Sequence, residues 1–247
     1  MKWYRPSPRI AWLGVLLLGV VLLFALSLAI GSVPIPLADV ITTLLGGTPT
    51  KPSWGNIIWQ FRLPRSLTAM LAGAALSISG LQLQTLFHNP LAGPFVLGIS
   101  SGASLGVAIV VLTSQQLGWL YGDLSLTIAA CLGAATVAGL VILTSKIVRN
   151  PVALLVLGLI FGYLTGAIVN ILLQLSSAQQ VQQFVIWTFG SFGGVTWKQL
   201  PLLTGGILVG GTIAIASLAA LNVMLLGSVQ AQALGVNLRS GYGFWFY

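Results

Sequence analysis

An all-α, polytopic transmembrane fold is what this sequence predicts, and three observations carry the prediction. Only 5% of the 247 residues are charged, whereas soluble domains carry roughly a quarter. Hydrophobic residues make up 57%, and the mean hydropathy is +1.01. Between Arg65 and Lys146 the one formal charge is Asp123. A water-soluble fold could not cover its surface with what remains. In a bilayer the same composition is what the solvent demands, because backbone polar groups pair inside helices while side chains face lipid.

Six apolar segments account for the spans: 10–30, 66–86, 94–112, 124–144, 152–175 and 200–226. The first follows a basic lead of Lys2, Arg5 and Arg9 and runs uncharged for 21 residues. A span needs about 20 residues and a signal-peptide core about 7–15, so a retained helix is the reading, with Ala29-Ile30-Gly31 as a weak cleavage alternative. Between the first two spans, apolar positions 37, 40, 41, 44 and 45 follow helical spacing, with Gly46 as a stop. That stretch is too short to span and is expected to lie along the membrane surface. Residues 48–56, rich in Pro, Gly and Thr, read as a loop. The second span is expected to begin at Pro64, where a helix loses no needed N–H.

The flanks set the orientation. With the N-terminus inside, Lys2, Arg5, Arg9, Lys146, Arg149 and Arg239 fall on the cytoplasmic side, against Lys51, Arg62, Arg65 and Lys198 outside. Arg62 and Arg65 then stand at the outer mouth of a helix. They either snorkel to headgroups or meet an acidic partner. The net charge of +8 does not point to nucleic acid, since the basic residues punctuate the apolar runs instead of forming a patch.

Helix faces come next. Gly73, Ser77, Gly80 and Gln84 share one face, and Gly158, Gly162, Gly166 and Asn170 recur every four residues with Thr165 alongside. Small residues at that spacing allow close helix packing, while Gln82, Gln84, Asn170 and Gln174 leave a polar cavity open as the competing reading. Gly205, Gly206, Gly210 and Gly211 read as packing. The Gly- and Ser-rich run 97–103 lines a cavity or permits a broken helix. No Asp, Glu, Lys or Arg lies well inside a segment, which argues against a proton- or sodium-coupled carrier or channel, the main alternative class. There is no P-loop, no reactive pair for an enzyme and no partner set for His88 as a metal ligand, so no cofactor and no metal are expected. Cys131 is the sole cysteine, so no intrachain disulfide forms. Uphill transport would need an engine on another polypeptide.

The run Arg62-Leu63-Pro64-Arg65, then Gly73-Ala74-Ala75-Leu76, Ser79-Gly80, Gln84, Asn89-Pro90-Leu91-Ala92, Pro94, Leu97-Gly98 and Ser101-Gly102-Ala103, resembles the FecCD-type permeases, membrane subunits of ABC importers for iron-siderophores, haem and vitamin B12. Trp187-Thr188-Phe189-Gly190-Ser191-Phe192 resembles the family's outer segment. Leu221-Asn222, Leu226-Gly227, Ala231 and Leu234-Gly235-Val236 resemble its cytoplasmic coupling region, and the likeness runs from Leu13 to Arg239.

The resemblance implies a single permease domain over residues 1–247, in a bacterial cytoplasmic membrane, with about six of the ten spans expected for the family. It implies cytoplasmic ATP-binding subunits, a periplasmic or lipid-anchored binding protein and a second permease subunit as partners, and iron-siderophore or a related chelate as cargo. It makes Arg62 the position that pairs with a glutamate on the binding protein, and Arg65, at the same outer mouth, joins it as a docking candidate. Asn89, Asn150, Pro151 and Val152 become gate residues, joining Gln84 and Asn170 as pathway candidates from the polar helix faces, and Gly227, Ala231, Leu234, Gly235 and Val236 become ATPase-coupling residues within 227–239. Two departures stand out. Ser228 and Val229 occupy places where relatives carry acidic residues, and the tail 240–247 does not resemble the family's next helix. Relatives continue with four more helices, so a frameshift, early stop or gene fragment is the expected reading of the tail, with impaired transport as its consequence.

Overall fold

The computed structural model describes residues 8–113, 123–148 and 150–225. They are mostly helical, with no strand among the described residues. The helices are α1 (Pro8–Ala29), α2 (Leu37–Leu44), α3 (Pro52–Asn56), α4 (Leu63–Leu86), α5 (Ile99–Thr113), α6 (Asp123–Ser145), α7 (Pro151–Gln174), α8 (Ala178–Thr188) and α9 (Leu200–Met224). A π turn, Ile57–Arg62, joins α3 to α4. Five helical stretches among the described residues are long and apolar enough to cross a membrane: Ile10–Ala29, Pro52–Leu86, Ser125–Ser145, Val152–Gln174 and Leu200–Ala219.

Two expected spans differ from what forms. The second begins not at Pro64 but at Pro52, whose missing N–H costs nothing in the first turn, and runs through the π turn for 35 residues. Residues 52–56, expected as loop, are therefore its first turn. The third, expected over 94–112, starts only at Ile99, because residues 87–98 turn repeatedly and Gly98 adopts φ +70°. At 1.5 Å per residue its 15 residues cover about 22 Å, short of the hydrocarbon thickness.

The chain forms two compact units, Met1–Ala72 with Phe192–Thr204, and Gly73–Ser191 with Gly205–Tyr247. In the first, α1 packs on α2 and on the π turn. Their shared core is Leu28, Ala29, Ile35, Val40, Ile58 and Leu63. Helix α2 stops as its glycines demand: Gly46 takes φ +85°, its N–H donates to the Thr43 carbonyl, and the Gly47 N–H donates to that of Thr42.

In the second unit α5 is the central element, packing on α6, then α7, then α8. Backbone proximity explains its composition. A Cβ on Gly102 would stand 2.5 Å from the Gly133 carbonyl oxygen, and one on Gly106 2.1 Å from that of Ala129. Gly102 and Gly106, four apart, face Ala129 and Gly133, also four apart, a small-residue seam that lets two backbones approach. The Gly-rich run at the start of α5 thus serves helix contact at Gly102, and the break falls at Gly98. There the left-handed backbone lies against α7, where a Cβ on Gly158 would meet the Leu97 Cα at 2.8 Å. Leu86, Phe87, Ala92, Leu97, Val141 and Leu154 close the core around this junction.

Candidate functional site

Helix α1 ends with carbonyls that no later turn of the helix can satisfy. Arg62, the last residue of the π turn, satisfies them. Its Nη1 donates to the Leu28 carbonyl at 2.6 Å and the Ala29 carbonyl at 2.9 Å, and its Nη2 donates to the Val33 carbonyl. A cation at a helix C-terminus also meets the negative end of the helix dipole. The side chain is buried, and a Cβ on Gly31 would lie 2.8 Å from Nη2, so the guanidinium occupies the space a side chain there would need. Nearby, the Ser27 and Ser66 hydroxyls bond at 2.8 Å and tie α1 to α4.

Pro64 explains the π turn's other partner. In this register the Leu63 N–H donates to the Ile58 carbonyl, five residues back. The next donor would serve Trp59, but it would come from Pro64, which has none. The Trp197 indole N–H fills the gap, donating to the Trp59 carbonyl at 2.7 Å and holding the 192–199 segment on the turn. Trp197→Phe keeps a ring and removes the donor. It is expected to lower stability by about 1 kcal/mol, measured as a lower melting temperature in detergent; an unchanged value would mean the bond is idle.

The paired arginines are therefore separated by the fold. Arg62 points inward as a helix cap, whereas Arg65, three residues on, is exposed. Helical spacing does not by itself distinguish the two. What distinguishes them is the open end of α1, which recruits the first.

The residues expected at the pathway or gate lie in the second unit, and two of them organise turns. The Asn150 Oδ1 accepts from the Val152 N–H at 2.9 Å and the Ala153 N–H at 3.3 Å, capping α7 with Pro151 in its first turn. The Asn89 Oδ1 accepts from the Leu91 N–H at 2.9 Å within the 87–98 junction, beside His88 at φ +49°. Val152, Gln84 and Asn170 are exposed. Gln82, not Gln84, carries a buried amide, and its Nε2 has no hydrogen-bond partner among the described residues.

The glycine faces divide. Gly158 and Gly162 pack against Leu97 and Gly98, while a Cβ on Gly73, Gly80 or Gly166 would meet nothing within 4 Å. The same holds for Gly205, Gly206, Gly210 and Gly211, so the packing expected of them in α9 is not present among the described residues. The buried edge of α9 is Ala214, Ser217 and Leu221 instead.

Sequence reasoning missed Gln180. Buried, it donates from Nε2 to the Leu112 carbonyl at 3.1 Å, closing the end of α5 with a side chain from the start of α8. The signal was available: Ser177 and Gln180 form a capping box at S-x-x-Q spacing. Gly227, Ala231, Leu234, Gly235 and Val236, expected to couple to the ATPase, lie outside the described residues. No group of three or more His, Cys, Asp or Glu that could hold a metal occurs among the described residues.

Comparison with known proteins matches residues 18–245 to the FecCD transport family. The hemin transport system permease protein HmuU of Yersinia pestis is 35% identical over 236 residues, covering 95% of this chain and 69% of that protein. The vitamin B12 import system permease protein BtuC of Shigella boydii serotype 18 is 35% identical over 247 residues, covering 97% of this chain and 68% of that protein. Among solved structures, a chain described as a metal-chelate type ABC transporter in an inward-facing conformation superposes with a TM-score of 0.77 at 29% identity, covering 96% of this chain and 71% of that one.

Proposed function

The chain belongs to the FecCD transport family, as an importer permease and not an enzyme, and from that premise we propose that it conducts a metal chelate, with iron-siderophore as the favoured class. Hemin and vitamin B12, named for the two relatives, are both chelated metals, and the structural neighbour is of metal-chelate type. Hydrolysis of ATP belongs to a partner subunit, since the sequence carries no P-loop. A second permease subunit and a substrate-binding protein complete the proposed assembly, in a bacterial cytoplasmic membrane with the N-terminus inside. In it, Gly227, Ala231, Leu234, Gly235 and Val236 meet the ATPase, and Gln84, Asn89, Asn150, Pro151, Val152 and Asn170 border the pathway or its gate.

The observation that carries the docking part of this reading is the exposed Arg65 beside a buried Arg62. Arg65 offers a free guanidinium to an acidic residue of the binding protein, and Arg62 fixes the helix mouth that presents it. The test is capture of the binding protein encoded with this permease by the permease in nanodiscs. Arg65→Glu is expected to weaken capture roughly tenfold at low salt, with the difference from the parent shrinking as salt screens the charge. Equal affinity for parent and variant at every salt concentration would remove Arg65 from the interface.

A further inference from the structure

Helix α2 carries two unlike faces. Val40 and Thr43 are buried, Val40 in the core with Leu28 and Ile35, while Leu37, Ile41, Leu44 and Leu45 stand exposed along one side. Its polar groups are satisfied locally. The Thr42 and Thr43 hydroxyls donate to the Ala38 and Asp39 carbonyls, and the Asp39 Oδ1 accepts from both the N–H and the hydroxyl of Thr50 at 2.8 Å. On that face a protein partner would find four aliphatic side chains and no polar side chain among them to fix its register, unlike the mixed polar rim of specific interfaces. Lipid needs no such group.

We propose that the Leu37, Ile41, Leu44 and Leu45 face is inserted in the bilayer, at the boundary of headgroups and acyl chains in the leaflet nearest the α1–α4 connection. The surface is continuous with one already facing lipid. Helix α2 packs on α1, an apolar span whose Leu18, Leu22 and Leu26 are exposed at four-residue intervals. The Lys51 ammonium, 5.3 Å from the centre of the Trp54 ring, supplies the amphipathic pair typical of headgroup depth. Amphipathic helices seated this way bury their apolar face about 5–10 Å into the interface.

The experiment uses the full chain with Cys131→Ala, which frees the sequence of cysteine. Ile41→Cys and Thr42→Cys are each labelled with an environment-sensitive fluorophore and reconstituted in phosphatidylcholine–phosphatidylglycerol vesicles. The label at 41 is expected to emit blue-shifted light and to lose roughly half its intensity to doxyl-labelled lipid, with little loss to aqueous iodide. The label at 42, on the polar side, is expected to respond to iodide. Iodide quenching at both positions, or protection from both quenchers at 41, would overturn the proposal, the second by placing protein on the face. So would a blue shift at 41 seen only after the binding protein is added. If Ile41→Cys fails to fold, Leu45→Cys reads the same face.

Discussion

Arg62→Glu is expected to cost about 3 kcal/mol or more, because it removes a buried cation from three carbonyls and sets a carboxylate among them. Purified in detergent, the variant should melt on the order of 10 °C below the parent. Arg62→Lys should fall between, since an ammonium lacks the planar fork that spans the Leu28, Ala29 and Val33 carbonyls at once. Arg65→Glu, at an exposed position, should melt with the parent. The pattern separates a helix-capping arginine from an exposed one without any partner in the tube. A parent-like melting temperature for Arg62→Glu would sink the capping assignment.

Helix α6 offers the second large effect with its control built in. At Gly133 an added Cβ would lie 2.1 Å from the Gly102 carbonyl oxygen and 3.0 Å from the Gly106 nitrogen. Backbone cannot swing aside as a side chain tip can, so α5 and α6 must separate along their seam. Gly133→Ala is expected to destabilise by about 3 kcal/mol, the upper end for overpacking. At Gly139, six residues on, a Cβ meets nothing within 4 Å. Gly139→Ala should be neutral or stabilising by up to about 1 kcal/mol through helix propensity alone. Opposite signs for one substitution in one helix is the expected result, read as melting temperatures side by side; equal effects would mean the seam is not as close as drawn.

Hydropathy made the spans legible because lipid imposes its demand on nearly every exposed side chain of α1, α6, α7 and α9. The short helix α2 was legible for a related reason: positions 37, 40, 41, 44 and 45 carry a helical period, and Gly46 a stop with a physical cause. The start of the second span was not, although Pro52 at its first turn was the available signal. Pro64 drew the boundary inward because proline usually opens helices, and here it lies within one whose lost bond is replaced from Trp197. That replacement spans 138 positions of sequence, and no local pattern encodes it. Arg62 illustrates the same limit. Its residue type and place at a helix mouth suit docking, but its direction is decided by orphan carbonyls at the end of another helix. Asn89 and Asn150 were singled out by resemblance alone, and what the structure shows of them is local work as turn and cap.

The wide turn at Ile57–Arg62 also constrains insertions and deletions. Relative to an α-helix it holds one extra residue. The six residues of the wide turn wind through about the same angle as five in an ordinary α-helix, so the extra residue is absorbed locally and the helix beyond keeps its phase. Deleting one residue there would let the backbone close into ordinary turns with Leu63 and Ser66 still turned toward the interior of the first unit. The same deletion in the regular part of α4, with no wide turn to take it up, would rotate everything downstream by about 100° about the axis. Where a codon is lost along this helix thus matters more than which residue it encodes.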